Sequence, residues 1–163
     1  MRAKIQVKIK NAKNSCGEPM GTLAVKASSL KGVTVKKEEI PSLIDELPIL
    51  MVAACFAKGK TIFEGVEELR VKETDRIRSM TDNLKKMGAA IKIVKMGANE
   101  KIIIEGKGFL KGSRVKSYGD HRTAMSMIVA GLASQGVTRL DDVSCINKSF
   151  PNFIKIIKNI SVA

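Results

Sequence analysis

Two stretches of this chain follow one pattern, and that pattern limits the fold more than any other feature. Asp45 heads an apolar run over residues 44–57, and Asp120 heads a second run that reaches Ser134. Each is too long for one strand, and its Ala, Leu and Met content marks a buried helix. Each closes on a glycine, Gly59 or Gly136, and leads into a short strand, a lysine-bearing loop and another helix. Asp45 and Asp120 lie 75 residues apart, Gly59 and Gly136 lie 77 apart, and Lys72 and Lys148 lie 76 apart. A period of this length is not that of a solenoid. It predicts an α/β chain built on a duplicated unit of strands and two helices, with copies over about residues 23–95 and 101–162.

The remaining elements follow from local pattern. Residues 4–10 alternate, with Ile5, Val7 and Ile9 on one face, which predicts a half-buried strand. Residues 14–21 hold Asn, Ser, Gly and Pro and read as a loop. Residues 23–27 and 33–35 read as short strands, and residues 90–95 and 101–105 as a hairpin. Short strands are also expected at 61–64, 114–117 and 137–140. Pro48 fits the first turn of the first long helix, where its missing N–H costs little. Asp45 then stands at or before the helix start, where capping accounts for it as well as a functional role does. Ser149 is expected to cap a last helix with Pro151 in its first turn and Phe153, Ile154 and Ile157 turned inward.

Chemistry concentrates in residues 69–77, LRVKETDRI, which carry three cations and two carboxylates. They precede a stripe of Ile77, Met80, Leu84 and Met87 at helical spacing, with Thr74 and Asp75 suited to its start and Gly88 to its stop. Lys72, Glu73 and Arg76 therefore cluster at a helix N-terminus, where unpaired N–H groups and the macrodipole favour anions. The cations suit a phosphate or carboxylate; Glu73 does not, and asks for another role such as proton transfer. The plain alternative is a solvated first turn in which Glu73 only complements the dipole. Asp45, Asp120, His121, Arg122 and Lys148 also fall at starts of expected helices, so a repeated unit would gather all of them at one end. Arg76 and Arg122 could each hold an oxyanion through two N–H groups. His121 could equally be a packed histidine, because Asp120 beside it can cap this helix alone.

Composition bounds the partners. At 163 residues the chain is long enough for one domain with a real core or for two small ones, and 29 Lys and Arg against 16 Asp and Glu leave +13. That excess calls for anionic partners. Nucleic acid is the rival class, but an aromatic content of 4% with no Trp supplies few stacking platforms, and the lysines are scattered. Cys16, Cys55 and Cys145 are far apart and His121 is the only histidine, so neither a zinc site nor a disulfide framework is expected. No apolar run approaches bilayer length and the first residues lack the centre of a signal peptide, so a cytoplasmic protein with no membrane contact is expected.

The stretches LIDELPILMVAACFAKGKT, ELRVKETDRI, YGDHRTAMS and NKSFPNF resemble, in order and spacing, successive motifs of the EPSP synthase family, the 3-phosphoshikimate 1-carboxyvinyltransferases. The resemblance runs from about Gly17 to Phe153. The related UDP-N-acetylglucosamine enolpyruvyl transferases share the fold but not the RVKETDRI and GDHR pair. The resemblance implies an inside-out α/β barrel domain of about two βαββαβ-like units. It implies transfer of the enolpyruvyl group of phosphoenolpyruvate to the 5-hydroxyl of shikimate 3-phosphate through a tetrahedral intermediate, with phosphate released and no metal or organic cofactor. By the same resemblance Asp45 binds the shikimate hydroxyls and is a candidate base. Lys72 contacts shikimate 3-phosphate, and Glu73 is the candidate acid toward the methylene carbon. Arg76, Arg122 and Lys148 hold phosphoenolpyruvate, with His121 beside them among the catalytic groups. Thr123 stands where the family usually has an aliphatic residue. The family's enzyme is a longer, monomeric chain of two similar domains with its site between them. Residues 1–163 are thus expected to be a single partial domain, most of the C-terminal one. Met1 would begin a truncated piece that folds but does not turn over without the N-terminal domain. A non-catalytic anion-binding module and a nucleic-acid-binding module are the other readings.

Overall fold

The protein is described by a computed structural model covering residues 6–160. It opens on an antiparallel hairpin of β1 (Gln6–Ser15) and β2 (Glu18–Lys26). Cys16 and Gly17 make its turn with φ of 53° and 84°, the left-handed pair that suits a two-residue hairpin loop. The loop expected over residues 14–21 is therefore a turn flanked by paired strands. Pro19 is tolerated because it faces Asn14 one step beyond the hydrogen-bonded Ser15–Glu18 pair, where its nitrogen points off the ladder. The expected half-burial of this strand also fails. Val7 is 46% and Ile9 66% exposed, because none of the described residues forms a second layer against that face; Ile5 is outside the described residues.

A compact order of elements follows. β3 (Thr34–Val35), α1 (Ile40–Leu43), α2 (Leu47–Phe56), β4 (Gly59–Glu64) and α3 (Arg76–Lys86) lead into the hairpin β5 (Ala90–Met96) and β6 (Asn99–Gly106). β7 (Arg114–Val115), α4 (His121–Leu132), β8 (Arg139–Leu140) and α5 (Phe153–Ile160) complete it. One sheet has the order β3-β4-β6-β5, with β3 parallel to β4 and the other pairs antiparallel; β7 and β8 form a separate parallel pair.

The helices form where side chains can cap them and pack them. Pro48 sits in the first turn of α2, which buries Leu47, Met51, Val52, Ala54 and Cys55. Burial pushes the Cys55 thiol up to about 12, so this cysteine is core and not nucleophile. The Asp75 carboxylate accepts from Arg78 N at 2.9 Å to start α3, and Gly88 ends it at φ 87°. Its stripe of Ile77, Met80, Leu84 and Met87 is wholly buried, packed with Phe63, Ile102 and Ile104 of the sheet and Met127 of α4. Each such side chain contributes about 1.5–3 kcal/mol by leaving water.

The last helix departs from expectation. It begins at Phe153, not beside Ser149, and Pro151 lies in the turn before it. A 3-10 helix over Ser144–Lys148 takes the Ser149 and Phe150 N–H groups onto Ile146 O, which leaves Ser149 no role as a cap. Phe153, Ile154 and Ile157 are only half-buried.

Two joints in the chain are built alike. Lys58 N donates to Leu30 O at 2.9 Å and Gly32 N to Lys58 O at 2.8 Å. Gln135 N donates to Leu110 O at 2.8 Å and Gly112 N to Gln135 O at 2.7 Å. A Cβ at Gly32 would lie 2.1 Å from Lys60 O, and one at Gly112 2.4 Å from Val137 O. Gly32→Ala and Gly112→Ala should therefore each destabilise the chain by about 1–3 kcal/mol, the usual cost of overpacking against rigid backbone. Urea unfolding followed by circular dichroism measures this, and an unchanged midpoint would refute it.

Candidate active site at the helix starts

Arg76, the first residue of α3, is the centre of the site. Its side chain is 1% exposed, yet it is ionic and needs partners. Three segments supply them. Arg76 Nε donates to Asp120 Oδ2 at 3.3 Å, one terminal nitrogen donates to Asp45 Oδ1 at 3.2 Å, and the other to Glu73 Oε2. Asp120 has no exposure and is held from below. Thr123 Oγ1 donates to it at 2.9 Å, and the Arg122 and Thr123 backbone N–H groups donate to it as α4 begins. Thr123 Oγ1 also lies 3.0 Å from Ser79 Oγ, which closes a polar path between α3 and α4.

Asp45 does not cap α2. The helix starts at Leu47 with no side-chain cap, because the short α1 turn leads directly into it. Asp45 instead joins two arginines: Arg122 NH2 lies 2.9 Å from its Oδ2, and Arg122 NH1 donates to its carbonyl at 2.9 Å. Arg122 also reaches Glu46 at 3.5 Å. The carboxylates of Asp45 and Glu73 are 52% and 56% exposed, so the cluster grades from a dry floor to an open mouth. Beside it lies a groove of about 250 Å³ bordered by Asp45, Arg122, Met125, Phe150 and Phe153. The starts of α2, α3 and α4 thus meet at the arginines, and the start of α5 borders the same groove.

The other sequence-selected residues are placed differently. His121 Nδ1 is 3.9 Å from Asp120 Oδ1, beyond hydrogen-bond reach, with the ring 20% exposed. Lys72 and Lys148 are exposed and make no ion pair among the described residues. Lys148 precedes Phe150 at the groove by two residues, and no contact ties it to Arg76 or Arg122. Asp120 as the buried counter-ion, with Thr123 and Ser79 beneath it, was not anticipated. The one trace in sequence is a hydroxyl on each helix where an apolar residue would pack as well.

The segment carrying Lys72 and Glu73 is pinned from outside. Arg70 Nε donates to Glu100 at 2.6 Å and its NH1 pairs with Asp75 at 2.7 Å, while Lys95 Nζ lies 2.8 Å from Glu100. Burial raises the Glu100 pKa, but the hydrogen bonds and charges of Arg70 and Lys95 outweigh it and leave the carboxyl below its ordinary range.

These contacts define a class before any comparison: an α/β domain with a carboxylate and guanidinium cluster where successive helices begin. The family model described as EPSP synthase (3-phosphoshikimate 1-carboxyvinyltransferase) matches residues 1–157. The chain is 48% identical over 145 residues to the 3-phosphoshikimate 1-carboxyvinyltransferase of Thermoanaerobacter sp. (strain X514), covering 89% of this chain and 33% of that protein. It is 44% identical over 156 residues to that of Geobacter sulfurreducens, covering 96% and 35%. A solved EPSP synthase from Acinetobacter baumannii superposes with a TM-score of 0.87 at 37% identity, over 95% of this chain and 36% of that one. This chain belongs to the EPSP synthase family, and its mixed sheets and helices are of the family's inside-out α/β type. It spans about a third of the length of the curated relatives it matches. Among the described residues no helix is long and apolar enough to cross a membrane, and no group of three or more His, Cys, Asp and Glu could hold a metal ion.

Arg76→Met would leave Asp120 charged, buried and unpaired, and should cost about 3–5 kcal/mol in urea unfolding. Arg122→Ala leaves Asp45 on Arg76 and half in water, so it should cost less than about 1 kcal/mol. Equal costs would show that Arg76 does not organise the cluster. Glu100 predicts a pH effect of definite sign. A carboxyl held below its ordinary range stabilises the fold above that range, and the contribution is lost as pH falls through the lowered value. Glu100→Gln should lower stability at neutral pH and reduce the further loss on acidification. Parallel pH profiles of the two chains would contradict it.

Proposed function

We propose that this chain forms one wall of an enolpyruvyl transfer site. Phosphoenolpyruvate gives its enolpyruvyl group to the 5-hydroxyl of shikimate 3-phosphate, and phosphate leaves. The observation that carries the reading is the joining of Asp45, Glu73, Arg76, Asp120 and Arg122 into one cluster, in a chain of this family. Residues 1–163 are read as a single partial domain with copies of a unit at about 23–95 and 101–162. The family's N-terminal domain supplies the facing wall, and the complete enzyme is cytoplasmic.

The chemistry needs a proton on the methylene carbon of phosphoenolpyruvate, attack of the hydroxyl oxygen on the adjacent carbon, and loss of phosphate with removal of a methyl proton. Glu73 is the acid toward the methylene carbon by the family's pattern, and its carboxylate stands at the open mouth of the cluster, oriented by Arg76. Asp45 receives the hydroxyl proton, with His121 as the nearby group that relays it. Lys72 and Asp45 hold shikimate 3-phosphate. By the family's pattern Arg122 and Lys148 hold phosphoenolpyruvate together with Arg76. Cations fixed around the tetrahedral intermediate stabilise its charge without reorganising.

The test is phosphate release from the two substrates by this chain mixed with a separately made N-terminal portion of a family enzyme. Release should require both polypeptides and both substrates, and Arg122→Ala should lower it by about 100-fold or more. Turnover by the chain alone, or none from polypeptides shown to associate, would overturn the reading.

A further inference from the structure

Thr123 and Ser79 are wholly buried, and a valine and an alanine would fill the same space with no polar atom to satisfy. Their hydroxyls meet between α3 and α4. Thr123 Oγ1 lies 3.0 Å from Ser79 Oγ and donates to Asp120 Oδ2 at 2.9 Å. Each hydroxyl carries one proton, and a charged acceptor draws it in preference to a neutral one. The Thr123 proton therefore goes to the carboxylate. The Ser79 proton is left with Thr123 Oγ1 or with Arg76 O, which is farther away at 3.4 Å. The bonds thus run one way, from Ser79 through Thr123 to Asp120.

This bond gives the Asp120 carboxylate a single orientation. Its Oδ1 accepts from Arg122 N at 3.1 Å. Its Oδ2 accepts from Arg76 Nε at 3.3 Å, Thr123 N at 3.4 Å and Thr123 Oγ1 at 2.9 Å, so the hydroxyl makes the shortest of the four contacts. The other two carboxylates on Arg76 are held less firmly. Asp45 and Glu73 are 52% and 56% exposed, whereas Asp120 has no exposure. Arg76 is therefore located from its Asp120 side, and it in turn aims Asp45 and Glu73.

We propose that Thr123 is a positioning residue. Its hydroxyl, directed by Ser79, locks the Asp120 carboxylate, and through it the Arg76 guanidinium to which Glu73 and Asp45 are bonded. The placing of Arg76 stands on the geometry; its consequence for phosphoenolpyruvate rests on the function proposed above. Thr123→Val removes the bond and keeps the shape of the side chain. Thr123→Ser keeps the bond and loses only a methyl group.

Two measurements on these variants form the experiment. In the chain by itself, Arg76 Nε–H is buried against Asp120 and should exchange slowly with water, as read from its own NMR signal. Thr123→Val should speed that exchange by about tenfold, the factor carried by one hydrogen bond to a charged group, and Thr123→Ser should leave it within about threefold of the parent chain. In the chain mixed with the N-terminal portion of a family enzyme, Thr123→Val should lower kcat/KM for phosphoenolpyruvate by about tenfold, and Thr123→Ser should restore it. Gly112→Ala is the control for lost stability alone, because its joint with Gln135 lies beyond the end of α4 opposite Asp120. It should change neither readout. An Arg76 exchange rate or a kcat/KM unmoved by Thr123→Val would overturn the proposal, as would a loss shared by Thr123→Ser or matched by Gly112→Ala. An inactive parent mixture would count against the reaction, and exchange in the chain by itself would still decide whether Thr123 places Arg76.

Discussion

A guanidinium buried without a counter-ion would unfold this chain, and the structure avoids that by closing three carboxylates around Arg76. The start of α2 brings Asp45, the segment before α3 brings Glu73, and the start of α4 brings Asp120. Removing a charge from water costs several kcal/mol even after relaxation, so the ion tolerates little displacement of any of the three. The helix starts are thereby fixed to one another as firmly as the apolar stripes beneath fix the helix bodies. Among the described residues no buried side-chain nitrogen or oxygen lacks a hydrogen-bond partner, so this polar centre is fully satisfied.

Around that centre, rigidity and exposure are divided between neighbouring residues. Arg70 and Asp75 anchor the segment against Glu100 and the start of α3, while Lys72 and Glu73 between them face outward. These two side chains are thus open to water while their backbone is held from both sides. Asp120, Thr123 and Ser79 play the opposite part: wholly buried, they orient Arg76 and present nothing to solvent.

Much of this was legible locally. The stripe of α3, the caps at Asp75 and Asp120, and the stop at Gly88 depend on neighbours within a turn of helix, and each is found as expected, whereas α4 ends at Leu132, four residues short of Gly136. The failures depend on distant partners. Val7 and Ile9 alternate as a half-buried strand should, but burial needs a facing layer that the described residues do not supply. Asp45 has the residue type of a cap, yet two arginines from other helices outbid the local backbone for its carboxylate. Ser149 and Pro151 make a good helix start in sequence, and a preceding 3-10 helix had already used that backbone.

The sequence by itself determined where α2, α3, α4 and the β5–β6 hairpin form, and that Arg76, Asp120 and Arg122 stand at helix starts, because periodicity and capping act over a few residues. Tertiary structure alone decided that Arg76 is buried and that Asp120 is its floor. It also decided that the first hairpin faces water and that α5 is only half-buried. Burial and ion pairing are properties of what packs opposite a residue, and a linear pattern carries no record of that partner.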